Sequence, residues 1–242
     1  KQFRAASIDS NIPMTTLMRE YPRPIIEVEP SPFGLRLLTR RPLNERQTHL
    51  RVTNLLFPNA FVIPMSAEMT ISQWHVPVDD ENCYWYAIFT SFTGPVNKQQ
   101  MRDQRLELYE LPDYVSRKSR RNNYGYDVQE QNTQTYTGMG MDINVHDQWA
   151  VESQGRIQDR TREHLGTTDK GISAYRRLLV KAIEANLAGE QELLMQLDAE
   201  QAAQLSGPPS IDGISDVAGV PTYCEVADRK RREGSDWADR KS

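Results

Sequence analysis

Between Ile25 and Phe92 the chain alternates short apolar runs with turn residues, and no other stretch constrains the fold as strongly. Six runs read as strands: Ile25–Glu29, Gly34–Arg41, His49–Phe57, Phe61–Pro64, Met69–Val76 and Tyr84–Phe92. They are rich in β-branched and aromatic residues and are punctuated by Pro, Gly, Asn and Asp. The connections Pro30-Ser31-Pro32-Phe33 and Pro42-Leu43-Asn44-Glu45 read as turns, so neighbouring strands should pair antiparallel. Side chains alternate along Leu50–Leu55, which puts Arg51 and Thr53 on one face and Val52 and Asn54 on the other.

The sheet's counterpart is one strong helix. Thr168 and Asp169 are cap candidates, and Ile172, Tyr175, Leu178, Leu179, Ala182, Ile183, Asn186 and Leu187 follow at helical spacing. All of these except Asn186 can pack on a core, while Arg176, Arg177, Lys181 and Glu184 lie opposite. Gly189 should end the helix, and Glu190–Leu205 reads as a weaker second one. A run of strands followed by a long packing helix is an α+β arrangement, with the helix expected to lie across the sheet.

The flanks are less regular. In residues 1–24, Met14, Leu17, Met18 and Tyr21 have helical spacing, but Pro13, Pro22 and Pro24 enclose them, so the segment reads as a connector. Residues 93–135 are polar and helix-poor, and their basic cluster Arg117-Lys118-Ser119-Arg120-Arg121 reads as a solvated loop. Residues 206–242 read as an extended C-terminal tail, either docked on a neighbour through Tyr223 or Trp237 or in part disordered, which leaves 25–205 as the domain.

A net charge of −4 gives no support to a nucleic-acid partner. No apolar run approaches the roughly 20 residues of a membrane span, and no signal peptide is visible, which points to a cytoplasmic protein without a membrane segment. Cys83 and Cys224 are isolated from each other, so this chain has no set of thiolates for zinc or an iron–sulphur cluster. Cys83, within an aromatic strand, reads as a small buried hydrophobe.

The stretch richest in chemistry is Gly138–Leu165. Two glycines, Gly138 and Gly140, lead into Asn144-Val145-His146-Asp147, where a helix is expected to begin with Asp147 at its mouth. Asp147, Val151, Gln154 and Gln158 are spaced by four, three and four, so they would share one helical face, able to surround a metal ion and its water. Asp is also a preferred helix cap, and that reading stands beside the metal one. The four histidines, His49, His75, His146 and His164, form no pair at i, i+4 or i, i+5. His146 points about 100° away from Asp147 on a helix, so it is not expected to be a second donor to the same ion; it reads as a plain surface or interface residue, with a place facing the substrate or beside the metal's ligands as the competing reading. His75 reads as core or interface, and His164 as hydrogen-bonded near a helix end. Arg51 offers a planar fork for a carboxylate, with a salt-bridged strand arginine as the competing reading.

The run HDQWAVESQGRIQDRTREHLGTTDKGI…YRRLL, together with RVTNLLFPNAFVIP upstream, resembles the C-terminal part of the oxygenase component of Rieske non-haem iron oxygenases. The closest branch is that of phthalate dioxygenases and lignin-type aryl O-demethylases. The resemblance implies an antiparallel sheet gripping a long C-terminal helix, with a substrate pocket between them. It implies that Asp147 is the carboxylate of a two-His-one-carboxylate site for mononuclear Fe(II), and that Arg51 lies on a pocket-lining strand. His146 and Gln154 join Arg51 as substrate-binding candidates. The family's two iron-binding His, and an N-terminal Rieske domain with its 2Fe-2S cluster, are expected upstream of these residues. O2 and an aromatic acid would be the substrates, and a reductase or ferredoxin the electron donor, in a homotrimer or stacked trimers. Ring dihydroxylation of a phthalate-like acid and O-demethylation of a methoxylated aromatic acid both fit. The alternative is a non-catalytic helix-grip module that binds an apolar ligand.

Overall fold

A computed structural model describes residues 6–7, 10–13, 17–18, 20–65, 68–190, 198–200 and 207–238. The chain divides into two compact units. The larger comprises Ala5–Val78, Asn82–Gly94 and His164–Ser242. The smaller contains Asp79–Glu81 and Pro95–Glu163, along with Lys1–Arg4. The fold class is α+β.

The larger unit opens with a two-stranded pair, β1 (Ala6–Ser7) and β2 (Ser10–Pro13). Its centre is a seven-stranded antiparallel sheet. Six strands follow in sequence order: β3 (Ile25–Ser31), β4 (Gly34–Pro42), β5 (Gln47–Leu56), β6 (Ala60–Pro64), β7 (Met69–Pro77) and β8 (Cys83–Ser91). These are the six runs that residue alternation marks out. The tight β3–β4 connection depends on Gly34, whose φ of +143° is left-handed and whose added Cβ would lie 2.6 Å from the Leu55 carbonyl oxygen.

A seventh strand comes from the segment expected to be an extended tail. Residues Asp212–Asp216 pair antiparallel with Gln47–Arg51 of β5, and helix Val220–Glu233 follows. Polar composition hid this strand: Asp212 and Ser215 are buried because they have hydrogen-bonding partners, not because they are apolar. Beyond the helix, Trp237 packs at the end of β8. Its Nε1 donates to the Ser91 carbonyl at 2.8 Å, and its ring packs on Phe92. The weaker helix expected over Glu190–Leu205 lies mostly outside the described residues, as does much of the connector's helical turn.

Cross-strand register assigns the faces. Arg41 pairs with His49, and His49 with Ile214; Thr39 pairs with Arg51, and Arg51 with Asp212. Partners directly opposite share a face, so Arg41, His49, Arg51 and Asp212 lie together on one side. The other side of β5 carries Leu50, Val52 and Asn54, all buried. Helix Lys170–Leu187 packs against β3 and β4, and its Gly171 lies so close to Leu37 that an added Cβ would be 2.6 Å from Cδ2. Leu37 shares the face of Arg51, so this helix covers the arginine-bearing side of the sheet. Small side chains make the buried contact: Ala182 and Ala185 are buried, while Ile172, Ile183 and Leu187, expected to pack on the core, stay exposed.

Edge strand β8 pairs only with β7, which leaves many of its side chains open. Cys83 is therefore exposed rather than a buried hydrophobe. His75, opposite Trp85 on β7, is also exposed, with its ring stacked on that indole at 5.7 Å.

The smaller unit is more helical than its polar composition suggests. In order it contains α1 (Lys98–Leu108), the short strands β9 (Tyr109–Glu110) and β10 (Val115–Ser116), a 3-10 turn at Arg120–Gly125, α2 (Val128–Thr133) and α3 (Ile143–Glu152). In the larger unit, helix Lys170–Leu187 is α4, helix Val220–Glu233 is α5, and strand Asp212–Asp216 is β11. Side chains of Asn97, Asp127 and Asp142 cap α1, α2 and α3 respectively, each accepting a backbone N–H of the first turn. Tyr124, Met139 and Val145 form the core, with Leu108 against it. Asn123, Tyr124 and Gly125 all have positive φ, a conformation costing about 1–3 kcal/mol for a non-glycine residue, and the burial of the Tyr124 ring offsets it. Among the described residues no helix is long and apolar enough to cross a membrane.

Candidate functional site

The loop before α3 is built from two left-handed glycines and a ring of hydrogen bonds. Gly138 has φ +69° and Gly140 φ +87°; a Cβ on Gly138 would lie 2.5 Å from the Asp127 carbonyl oxygen. Glu130 Oε1 accepts from the Gly140 N–H at 2.7 Å and from the Thr135 hydroxyl at 2.6 Å. Those bonds, the Thr135 hydroxyl first and then the Gly140 amide, hold the Glu130 carboxyl below the usual range. Lys118 Nζ donates to the Met139 carbonyl at 2.8 Å.

His146 completes the ring. Its Nε2 lies 2.9 Å from the Gly140 carbonyl and 2.9 Å from the Thr137 hydroxyl. A carbonyl oxygen only accepts, so the Nε2 proton points at Gly140. The imidazole is buried. It ties the glycine loop to the helix, a role that its position beside Asp147 does not reveal.

Asp147 is not at the mouth of its helix. Asp142 takes the capping role, accepting from the Asn144 N–H at 2.8 Å, and Asp147 is an interior residue of α3. Capping therefore does not account for Asp147. Val145 and His146 face inward, whereas Asp147 and Val151 are exposed. The longer face expected from Asp147 through Gln154 to Gln158 does not exist, because α3 ends at Glu152 and Gly155 turns the chain with φ +100°. Gln154 instead donates to the Ala150 carbonyl at 3.1 Å, and Gln158 to Glu163 at 3.3 Å. At the end of α3, Glu152 uses both carboxylate oxygens, accepting from Tyr124 Oη at 2.6 Å and from Gln148 Nε2 at 2.9 Å. Burial first, and then this Glu152 bond, raise the Tyr124 phenol above its ordinary value.

In the larger unit, Arg51 Nη1 donates to Asp212 Oδ2 at 2.7 Å, and His49 Nε2 lies 2.6 Å from Asp212 Oδ1. Asp212 and His49 are almost fully buried, while 19% of the Arg51 side chain is solvent-accessible. Arg41, buried beside them, has no partner at Nε or Nη1, and desolvation first, then the Arg51 charge, lower its guanidinium pKa. Arg51 is thus the salt-bridged strand arginine that the sequence allowed, with part of its surface still open. Asp212 escaped notice because Asp-Gly in a polar segment reads as a turn.

A facial iron site needs two imidazoles and one carboxylate. Asp147 can supply the carboxylate, but His49 is committed to Asp212, His146 to Gly140, and His75 stacks on Trp85. Among the described residues no group of three or more His, Cys, Asp or Glu could hold a metal. The donors present do not fit a complete site, and Asp147 is at most one corner of it.

The family model described as "LigXa C-terminal domain like" matches residues 16–207. The chain is 27% identical over 183 residues to the oxygenase subunit of phthalate 4,5-dioxygenase from Pseudomonas putida. That match covers 70% of this chain and 40% of the relative, so the chain spans about two fifths of the protein it matches.

Proposed function

The chain belongs to the LigXa C-terminal-domain-like family, and from that premise we propose that it is the catalytic part of a Rieske-type oxygenase acting on an aromatic carboxylate. The observation carrying this reading is Asp147: a carboxylate on the exposed side of α3, freed from capping by Asp142, within the matched stretch. In this reading Asp147 supplies one ligand to mononuclear Fe(II), and the two imidazoles come from the part of the polypeptide that these residues do not include. Bound iron of this type would supply O2 activation beside the substrate. A 2Fe-2S Rieske cluster, a reductase or ferredoxin and a trimeric assembly complete the proposal.

The residues of this chain have their own tasks. The Thr135–Gly140 loop, pinned by Glu130, Lys118 and His146, fixes where α3 begins and hence where Asp147 projects. Arg51 offers its accessible surface to the substrate carboxylate, on the sheet face against which α4 packs. Both candidate reactions act on an aromatic acid, so either leaves a carboxylate for such a contact.

The test is product analysis with the full-length oxygenase subunit, a reductase and O2, using phthalate and a methoxybenzoate. A cis-diol, or a phenol plus formaldehyde, in step with O2 uptake supports the proposal. Ligand binding with no O2-dependent product from any aromatic acid would leave a binding module instead.

A further inference from the structure

We propose that the groove between β3 and α4 is a binding site for an amphipathic carboxylate, a ligand with an apolar body and an anionic end. The residues that line it include neither Asp147 nor Arg51.

Two periodicities build the walls. Ile26 and Val28 of β3 pair with Thr39 and Leu37 of β4, so both point to the sheet face against which α4 packs. On α4, Lys170, Ser173, Ala174 and Arg177 are spaced by three, one and three, which places them on one helical stripe. At Gly171 the helix presses against Leu37. At Ser173 and Ala174 the side chains facing β3 are small, and a cavity of about 500 Å3 is left there. That volume lies within the roughly 300–1,000 Å3 of small-molecule sites. Among the described residues β3 is the outermost strand of its sheet, so the groove lies at the sheet's edge, where a ligand can enter.

Charge selects the ligand. Among the described residues neither Lys170 nor Arg177 has an ion-pair partner. The acidic residue of the lining, Glu27, is offset by one from Ile26 and Val28, so its side chain points to the opposite face, where Arg40 binds the carboxylate. Glu29 is turned the same way and accepts from Arg36 Nε at 3.0 Å. Asp169, next to Lys170, is turned back to the Gly166 N–H at 2.7 Å. The groove therefore offers an aliphatic floor from Ile26, Val28 and Ala174, the Ser173 hydroxyl, and two cations without a counter-ion. The N-terminal turn of α4 adds partial charge of the same sign. A small inorganic anion would leave the floor unfilled, and a neutral hydrocarbon would leave the cations unused. A carboxylate on an aromatic or aliphatic body uses both.

The test is photolabelling of the full-length oxygenase subunit with 4-benzoylbenzoate, an apolar body bearing a carboxylate, and with uncharged 4-methylbenzophenone. Mass spectrometry locates the labelled peptides, and circular dichroism checks that each variant is folded. In the wild type the acid should label peptides containing residues 26–28 or 173–177, and 2-naphthoate should displace it. The double variant Lys170→Gln/Arg177→Gln should raise the acid concentration for half-maximal labelling roughly tenfold or more, and move that of the neutral probe by less than about twofold. Ala174→Leu, which fills the groove and keeps both cations, should suppress labelling there by both probes. If Ala174→Leu fails to fold, the double variant carries the test, because both of its cations are exposed. Acid labelling that is unmoved by loss of both cations would reduce the groove to an apolar surface and overturn the proposal. Labels that map only to other peptides, or that persist in a folded Ala174→Leu protein, overturn it as well. Competition by inorganic phosphate as strong as that by 2-naphthoate would show a bare anion patch, which also overturns it.

Discussion

His146 Nε2 lies 2.9 Å from the carbonyl oxygen of Gly140, so the residue next to the candidate iron ligand is spent on holding the loop that precedes it. His146→Leu leaves the partly buried Gly140 carbonyl without this donor, which should cost on the order of 1 kcal/mol. His146→Gln, able to donate from a similar position, should recover part of that. Hydrogen exchange is the check: amides of Thr135–Gly140 should lose protection in His146→Leu. Unchanged protection there would mean that the imidazole is not what holds the loop.

Glu130 makes the same loop sensitive to acid. Its carboxyl is held below the usual range by the Thr135 hydroxyl and the Gly140 N–H. A depressed folded value means that the contribution is present above the ordinary glutamate value, about 4.3, and is lost as pH falls through the lower, folded one. Melting temperatures of the wild type and Glu130→Gln should therefore differ at neutral pH, and the gap should narrow as pH falls below the ordinary glutamate value. A gap that stays constant down to the acid limit of the fold would rule this out.

The central strands and α4 were legible because their side chains repeat with the period of the element, as along Leu50–Leu55 and from Ile172 to Leu187. What stayed hidden was set by partners distant in sequence. Asp142 and Asp147 are both acidic residues near a helix start, and only backbone geometry shows which one caps. Strand β11 has no apolar alternation. Its burial is satisfied by His49 and Arg51, more than 160 residues earlier, and no local pattern records that. Cys83 was read as a buried hydrophobe because its neighbours are aromatic, yet it stands on the edge strand β8 and is exposed.

Asn54 illustrates how β5 anchors the C-terminal segment. Buried on the face opposite Arg51, its Nδ2 donates to the Pro209 carbonyl and the Ser210 hydroxyl, both at 2.9 Å. Asn54→Leu fills similar volume but strips both acceptors, and should destabilise the larger unit by about 1–3 kcal/mol in chemical denaturation. Asn54→Asp, which keeps the shape and removes the donors, should be at least as damaging. A denaturation midpoint unchanged in both variants would show that these bonds contribute nothing net.

The most direct measurement is the iron content of the full-length oxygenase subunit with Asp147→Ala. Asp147 is exposed and is not the cap of α3, so the variant should fold with an unchanged circular dichroism spectrum. It should lose mononuclear iron and turnover, while the visible spectrum of the Rieske cluster stays as in the wild type. Full mononuclear iron in a folded Asp147→Ala protein would contradict the assignment, and the carboxylate ligand would have to come from another residue.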